Sequence, residues 1–136
     1  MAHEALDRWH DIVRTGSAEL IPGLLADDVV FYSPVMHTPQ RGRAMTAMYL
    51  GAALKVFGAG DFRYLREIIG EQDAMLEFQV TLQDIEVNGV DILRWNEDQQ
   101  IVEFKVMLRP LKAIQLIHQN MGEMLAAAQA RTATPG

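Results

Sequence analysis

Residues 87–110 read VNGVDILRWNEDQQIVEFKVMLRP: two strand-like runs, an Asn88-Gly89 pair ahead of them, and one acid, Asp91, on an otherwise apolar side. Asn-Gly between strand-like runs favours a two-residue type I′ turn, which pairs Val87 with Val90, Glu86 with Asp91, Asp84 with Leu93 and Leu82 with Trp95. Directly opposed residues share a face. Leu76, Phe78, Val80 and Leu82 then lie with Asp91, Leu93 and Trp95, while Glu77, Gln79, Thr81, Gln83 and Arg94 lie on the other side. A second turn around Asp98-Gln99 sets Val102 beside Trp95, Phe104 beside Leu93 and Val106 beside Asp91. One face is apolar and the other solvated, the pattern of an antiparallel sheet covered on one side. Near the first turn the inner face presents Asp84, Glu86 and Asp91. A hairpin tip in water accounts for the first two. Asp91 is flanked by Val90, Leu93 and Val106, so its carboxyl must be protonated, paired or hydrogen-bonded, and either the fold satisfies it or the function uses it.

Working outward, residues 3 to 14 carry Leu6, Trp9 and Val13 at helical spacing, with Glu4, Asp7, Arg8 and Asp11 largely opposite and Gly16 as the stop. A second helix opens near Ser17, shortened by Pro22-Gly23. Val29 to Tyr32 is a short strand, followed by the proline-bounded loop Ser33 to Pro39. Arg43 to Phe57 is a third helix with a Gly58-Ala59-Gly60 stop. Phe62 to Ile69, Ala74 to Val87, Val90 to Trp95 and Ile101 to Arg109 form a meander. Pro110 opens a last helix with Leu111, Ile114, Ile117, His118, Met121 and Leu125 on one stripe. The early helices need a surface to pack on, and the apolar sheet face is the only large one. The expected fold is therefore α+β: a curved antiparallel sheet wrapped around N-terminal helices, closed by a C-terminal helix. One domain, 1–130, precedes a flexible tail, 131–136.

The chain has 136 residues, of which 49% are hydrophobic, enough for one sizeable core. It has no cysteine, which excludes disulfides, thiolate nucleophiles and Cys-ligated metal centres. Twelve basic against eighteen acidic residues give a net charge of −6, and no Lys/Arg block exists to neutralise a nucleic acid's phosphates. MAHEALDRWHDIV lacks the basic-then-apolar pattern of a signal peptide, and no apolar run is long enough to span a membrane. The expectation is a cytoplasmic protein with no membrane and no nucleic-acid partner. No histidine pair has metal-ligand spacing, and there is no phosphate loop, nucleophile elbow or dinucleotide fingerprint, so no metal and no cofactor is expected.

A Trp9-bearing first helix, LLADDVVFYSPV, the PQRG run before the third helix and GVDILRWNEDQQIVEFKVMLRP together resemble the nuclear transport factor 2-like superfamily. It includes ketosteroid isomerases, SnoaL-like polyketide cyclases, scytalone dehydratase, limonene epoxide hydrolase and many binding modules. The resemblance covers almost the whole chain and implies a cone-shaped α+β barrel with a pocket between helices and sheet. Ketosteroid isomerases combine a first-helix tyrosine and a protonated aspartic acid as oxyanion donors with an aspartate base. By spacing, the protonated-acid position falls on Asp91, the tyrosine position on Trp9, and the base position on Ser33 of Tyr-Ser-Pro-Val. Serine without a neighbouring base cannot abstract a carbon-bound proton, which argues against a standard ketosteroid isomerase.

The resemblance and the register together line the pocket with Trp9, Tyr32, Ser33, Val35, Met36, Tyr49, Phe57, Phe78, Leu93, Phe104, Val106 and Leu108. Ordinary core packing is the alternative for each. His37, in the proline-bounded loop, has the pKa range of a general base, the alternative being a solvated loop histidine. Asp91 and His37 are thus the candidate catalytic residues. The expected function is a pocket for a small hydrophobic oxygenated compound. It is either a cofactor-independent acid–base enzyme of isomerase, cyclase, dehydratase or hydrolase type, or a non-catalytic ligand-binding or dimerisation module of the same fold. Val90, Ile92 and Met107 share the outer face with Arg94 and Lys105, and superfamily members commonly dimerise there, so a homodimer through that face is expected.

Overall fold

The computed structural model describes residues 3–58 and 60–133. Helix α1 (Glu4–Thr15) buries Ala5, Leu6, Trp9 and Ile12 and ends at Gly16, whose φ of 69° lets its N–H cap the Ile12 carbonyl at 2.8 Å. Pro22-Gly23 reduces the second helix to a 3-10 turn, Ala18–Leu20, and the single turn α2 (Ile21–Leu24). Strand β1 (Leu25–Tyr32) begins four residues before the expected Val29. A bulge around exposed Asp27 and Asp28 interrupts its register, and Asp27 pairs with Arg43 at 2.8 Å. The short β2 (Gln40–Arg41) follows the proline loop, and α3 (Arg43–Gly58) follows that.

Strands β3 (Arg63–Ile69), β4 (Asp73–Leu82), β5 (Ile85–Trp95) and β6 (Ile101–Arg109) form the expected antiparallel meander. The six-stranded sheet has the order β2-β1-β6-β5-β4-β3 and is open, with β2 and β3 at its edges. It is mixed rather than wholly antiparallel: β1 runs parallel to β6, with Phe31 beside Phe104, because the long excursion through the meander returns the chain in the same direction.

The first turn of the meander corrects the sequence expectation. Asn88-Gly89 lies inside β5, and the chain reverses at Gln83-Asp84, where both residues have the positive φ of a type I′ turn, 49° and 64°. Asp91 therefore faces Leu76 instead of Glu86, ten positions earlier in the chain. The reason is packing. This register sets Val87 against Val80 and Ile85 against Leu82 in the core, and Gly89 against Phe78, where an added Cβ would lie 2.5 Å from the Phe78 ring. It also moves Asp84 to the exposed tip and Glu86 to the outer face, where the Gln79 amide donates to it. The slip is even, so Leu76, Phe78, Val80, Leu82, Asp91, Leu93 and Trp95 keep their face, while Glu86 and Val87, now part of β5, exchange theirs. Between β5 and β6, Val106 sits beside Asp91 and Phe104 beside Leu93 as expected. A bulge brings Ile101 rather than Val102 beside Trp95.

Helix α4 (Leu111–Ala133) reaches three residues into the expected tail, whose remaining residues, 134–136, lie outside the described ones. Its buried stripe is Ala113, Leu116, Ile117 and Met121, while Leu111 and His118 face out. This rotation seats small Ala113 and the branched side chains against Val80, Leu82 and Val87 and against Ala52 and Val56 of α3. A larger core joins α1, α2, α3 and β1 to the inner faces of β4, β5 and β6, through Leu6, Ile12, Leu24, Val29, Leu50, Leu76 and Leu93. Between the two cores the helices stand off the sheet, and a cavity remains.

Candidate functional site

Strict alternation along β5 sends Asp91 inward between Leu76 and Val106, and the side chain is 6% exposed. Tyr64 reaches it from the edge strand β3: its hydroxyl donates to Asp91 Oδ2 at 2.8 Å and accepts from the Trp9 indole Nε1 at 3.0 Å. Trp9 comes from the buried face of α1, its ring edge-on to Phe104 at 4.9 Å. Three elements remote in sequence thus converge in one directed chain, indole to phenol to carboxyl.

These groups border a cavity of about 110 Å³. Its walls are otherwise apolar. Phe57 and Phe62 close on Phe78 at 5.4 and 5.1 Å, and Phe31 lies 6.1 Å from Phe104. Exposed Gly16 and Gly58, the C-terminal ends of α1 and α3, mark where the cavity reaches the surface. Burial raises the Asp91 carboxyl from 3.8 to about 7, and the Tyr64 hydrogen bond offsets part of that rise. Burial, and then the neighbouring Asp91 charge, push the Tyr64 phenol well above its usual 10, so it stays a hydrogen-bond donor at every physiological pH. At neutral pH Asp91 therefore populates both forms. Ionised, it is held by Tyr64 through Oδ2; protonated, it has a proton to offer a guest from Oδ1.

Of the residues expected at the site, Asp91, Trp9, Phe57, Phe78, Phe104 and Val106 line this cavity. The others do not. β1 turns Phe31 inward, so Tyr32 faces away, with the Lys105 ammonium 4.9 Å over its ring. Ser33 accepts a hydrogen bond from the Val35 amide at 3.1 Å, a local turn that holds both in the loop. Met36 is exposed and accepts a contact from the Tyr49 hydroxyl at 3.6 Å, which draws Tyr49 toward the loop instead of the cavity. His37 is exposed in the same loop and is not among the cavity residues. Leu93 is solid core one step beyond Asp91, and Leu108 packs over Gly89 toward α4.

Tyr64 was not anticipated, nor were Val13, Phe31, Leu50, Leu54 and Phe62. A signal for Tyr64 exists in Phe62-Arg63-Tyr64, an aromatic alternation that marks one inward face, but β3 is exposed along most of its length and offers little pattern beyond it. Among the described residues no group of three or more His, Asp or Glu is placed to hold a metal, and no helix is long and apolar enough to cross a membrane.

Comparison with known proteins gives a consistent result. Residues 6–104 match the family model of SnoaL-like domains. A Pseudomonas aeruginosa protein whose structure is described as a steroid delta-isomerase is 34% identical over 95% of this chain and 94% of its own, with a TM-score of 0.90. An uncharacterized bacterial protein with a cystatin-like fold from Silicibacter pomeroyi DSS-3 is also 34% identical, over 89% of this chain and 84% of its own, with a TM-score of 0.82. At 14% identity, SalBIII, an epoxide hydrolase/cyclase-like enzyme of pyran ring formation in salinomycin, shares the fold over 79% of this chain and 90% of its own, with a TM-score of 0.64. No curated protein matches the chain.

Proposed function

The chain belongs to the SnoaL-like domain family, and from that premise we propose that it is a small-molecule-pocket protein with cofactor-independent acid–base chemistry. The reaction is of isomerase, cyclase, dehydratase or hydrolase type, on a small hydrophobic oxygenated compound, in a cytoplasmic protein. The observation that carries this reading is the Asp91 carboxyl at the wall of an apolar cavity, hydrogen-bonded through Oδ2 by a phenol that is itself held by an indole. A carboxyl raised to about 7 has the proton affinity a general acid needs at neutral pH. In its protonated form it donates to a carbonyl, hydroxyl or epoxide oxygen, and the surrounding apolar walls strengthen that bond.

The names of the relatives support isomerase and cyclase as reaction classes. A standard steroid isomerisation is disfavoured by the cavity's own side chains. Ser33, at the position expected for the base, is engaged in its turn, and among the described residues Asp91 and Tyr64 are the only titratable groups lining the cavity. A proton given by Asp91 must therefore return to the same carboxylate, as isomerisation, cyclisation or loss of water allows. The volume, about 110 Å³, is on the scale of the roughly 150 Å³ apolar cavity that takes up benzene. Compounds of one ring are the first substrates to test. With any that turns over, Asp91→Asn is expected to lower kcat at least a hundredfold while circular dichroism stays native. Unchanged turnover would remove Asp91 from the mechanism. The second reading, a non-catalytic ligand-binding module, is favoured by the absence of a separate base from the cavity lining. It is chosen if guests bind and none is converted.

Assembly is part of the same proposal. Ile68 and Met107, 61% and 52% exposed, stand with Met75, Val90 and Ile92 on the outer sheet face, a patch that a second copy of the chain would cover. A dimer mass is expected in sedimentation equilibrium at micromolar concentration, shifting to monomer on Met107→Glu. A wild-type monomer there sinks the dimer.

A further inference from the structure

One carboxyl and a set of aromatic rings in the cavity lining suit a positive charge. Trp9, Phe31, Phe57, Phe62, Phe78 and Phe104 turn aromatic surface into it, and among the described residues no Lys, Arg or His lines it. Aromatic faces carry negative quadrupole potential and attract ammonium groups, most strongly where water is excluded. The cavity reaches the surface at Gly16 and Gly58, where α1 and α3 end, so the partial negative charge of two helix C-termini lies at its mouth. Arg14, the basic residue in the last turn of α1, is drawn to Asp11 at 3.2 Å and does not line the opening. Inside, Tyr64 occupies Asp91 Oδ2 and leaves Oδ1 for a guest.

We propose that the cavity, with Asp91 ionised, is a binding site for small protonated amines of about one ring's size, the carboxylate serving as counter-ion and the aromatic walls as the cage. This rests on the reading of Asp91 as the cavity's working group and adds a second class of guest to it. Neutral oxygenated compounds take the protonated form as their donor; ammonium ions take the ionised form. Anions are refused by the ionised form. The two guest classes therefore depend on pH with opposite sign. An ammonium ion binds only the ionised carboxyl, so its affinity rises about tenfold per pH unit below 7 and levels off above. An oxygen acceptor loses its donor over the same window. The groups that face Asp91 are Tyr64 from β3, Leu76 from β4, Val106 from β6 and, through Tyr64, Trp9 from α1. The half-exposed His10–Glu67 pair, 2.7 Å apart, lies behind the Tyr64 ring and does not line the cavity.

Benzylamine, benzyl alcohol and benzoate test this on the intact protein, by calorimetric titration at pH 5.5, 7 and 8.5. Benzylamine stays protonated across that range. The expected result is benzylamine binding at least tenfold tighter at pH 8.5 than at 5.5, tighter than benzyl alcohol at pH 8.5, and lost at least tenfold in Asp91→Asn, with no binding of benzoate at pH 8.5. The pH series uses wild-type protein and stands even if the variant fails to fold. Benzyl alcohol binding as tightly as benzylamine at pH 8.5, or benzylamine affinity that ignores pH, overturns the amine site while Asp91 remains a donor to oxygen. Binding of none of the three overturns both.

Discussion

At pH 8 the Asp91→Asn protein melts on the order of 10 °C above the wild type, and the gap closes as the pH is lowered to 4. The cause is the cost of an ionised carboxyl 94% removed from water with one hydrogen bond to hold it. In the unfolded chain Asp91 titrates near 3.8; in the fold it titrates at about 7. Between those values the folded state holds a proton that the unfolded state has released, so stability is fully present below pH 4, falls as the pH rises through 7, and is constant above. The displacement corresponds to about 4 kcal/mol. The amide replacement keeps an oxygen for the Tyr64 hydroxyl and has nothing to ionise. Melting curves of both proteins from pH 4 to 8 measure the effect directly, and parallel curves would mean that Asp91 is not a strained acid.

Gly89→Ala is expected to destabilise the fold by about 3 kcal/mol in urea unfolding and to weaken binding of any cavity guest. An added Cβ would lie 2.5 Å from Phe78 Cζ, 2.7 Å from Leu108 Cδ2 and 2.7 Å from the Met107 carbonyl oxygen. The first two atoms can swing aside. The carbonyl belongs to the ladder between β5 and β6 and moves only if that pairing loosens. Phe78 has one direction of escape that costs no backbone movement, into the cavity it lines, so the same methyl that strains the sheet reduces the space for a guest. A loss of less than about 0.5 kcal/mol would mean that the strands part easily at this point. The glycine that reads in the sequence as a turn residue is required by an aromatic ring lying over it.

The Asn88-Gly89 example separates what is local from what is not. Asn-Gly is a turn signal because both residues tolerate positive φ, and that tendency is real for the isolated segment. In the folded chain it competes with the pairing of Val87 and Ile85 on Val80 and Leu82, which α4 then covers. Buried aliphatic contacts outweigh a turn preference, and the reversal moves to Gln83-Asp84. Leu76, Phe78, Val80, Leu82, Asp91, Leu93 and Trp95 keep their face because alternation has period two and the slip is even, whereas Glu86 and Val87, transferred to the next strand, change theirs. Asp91 therefore points inward as its alternation dictates, although the residue opposite it is Leu76 and not Glu86.

By itself the sequence determined the element order, the apolar inner face of the meander, the inward carboxyl at Asp91 and the family to which that pattern belongs. These follow from periodicity, and periodicity is written residue by residue. The tertiary structure alone decided which loops reach the cavity. It left Ser33 and His37 outside, turned Phe31 in place of Tyr32 toward the cavity, and brought Tyr64 from the edge strand to stand between Trp9 and Asp91. Those placements depend on how a curved sheet brings β3, β5 and α1 together in space, and residues 55 and 27 positions apart along the chain carry no local signal that they will share a hydrogen bond.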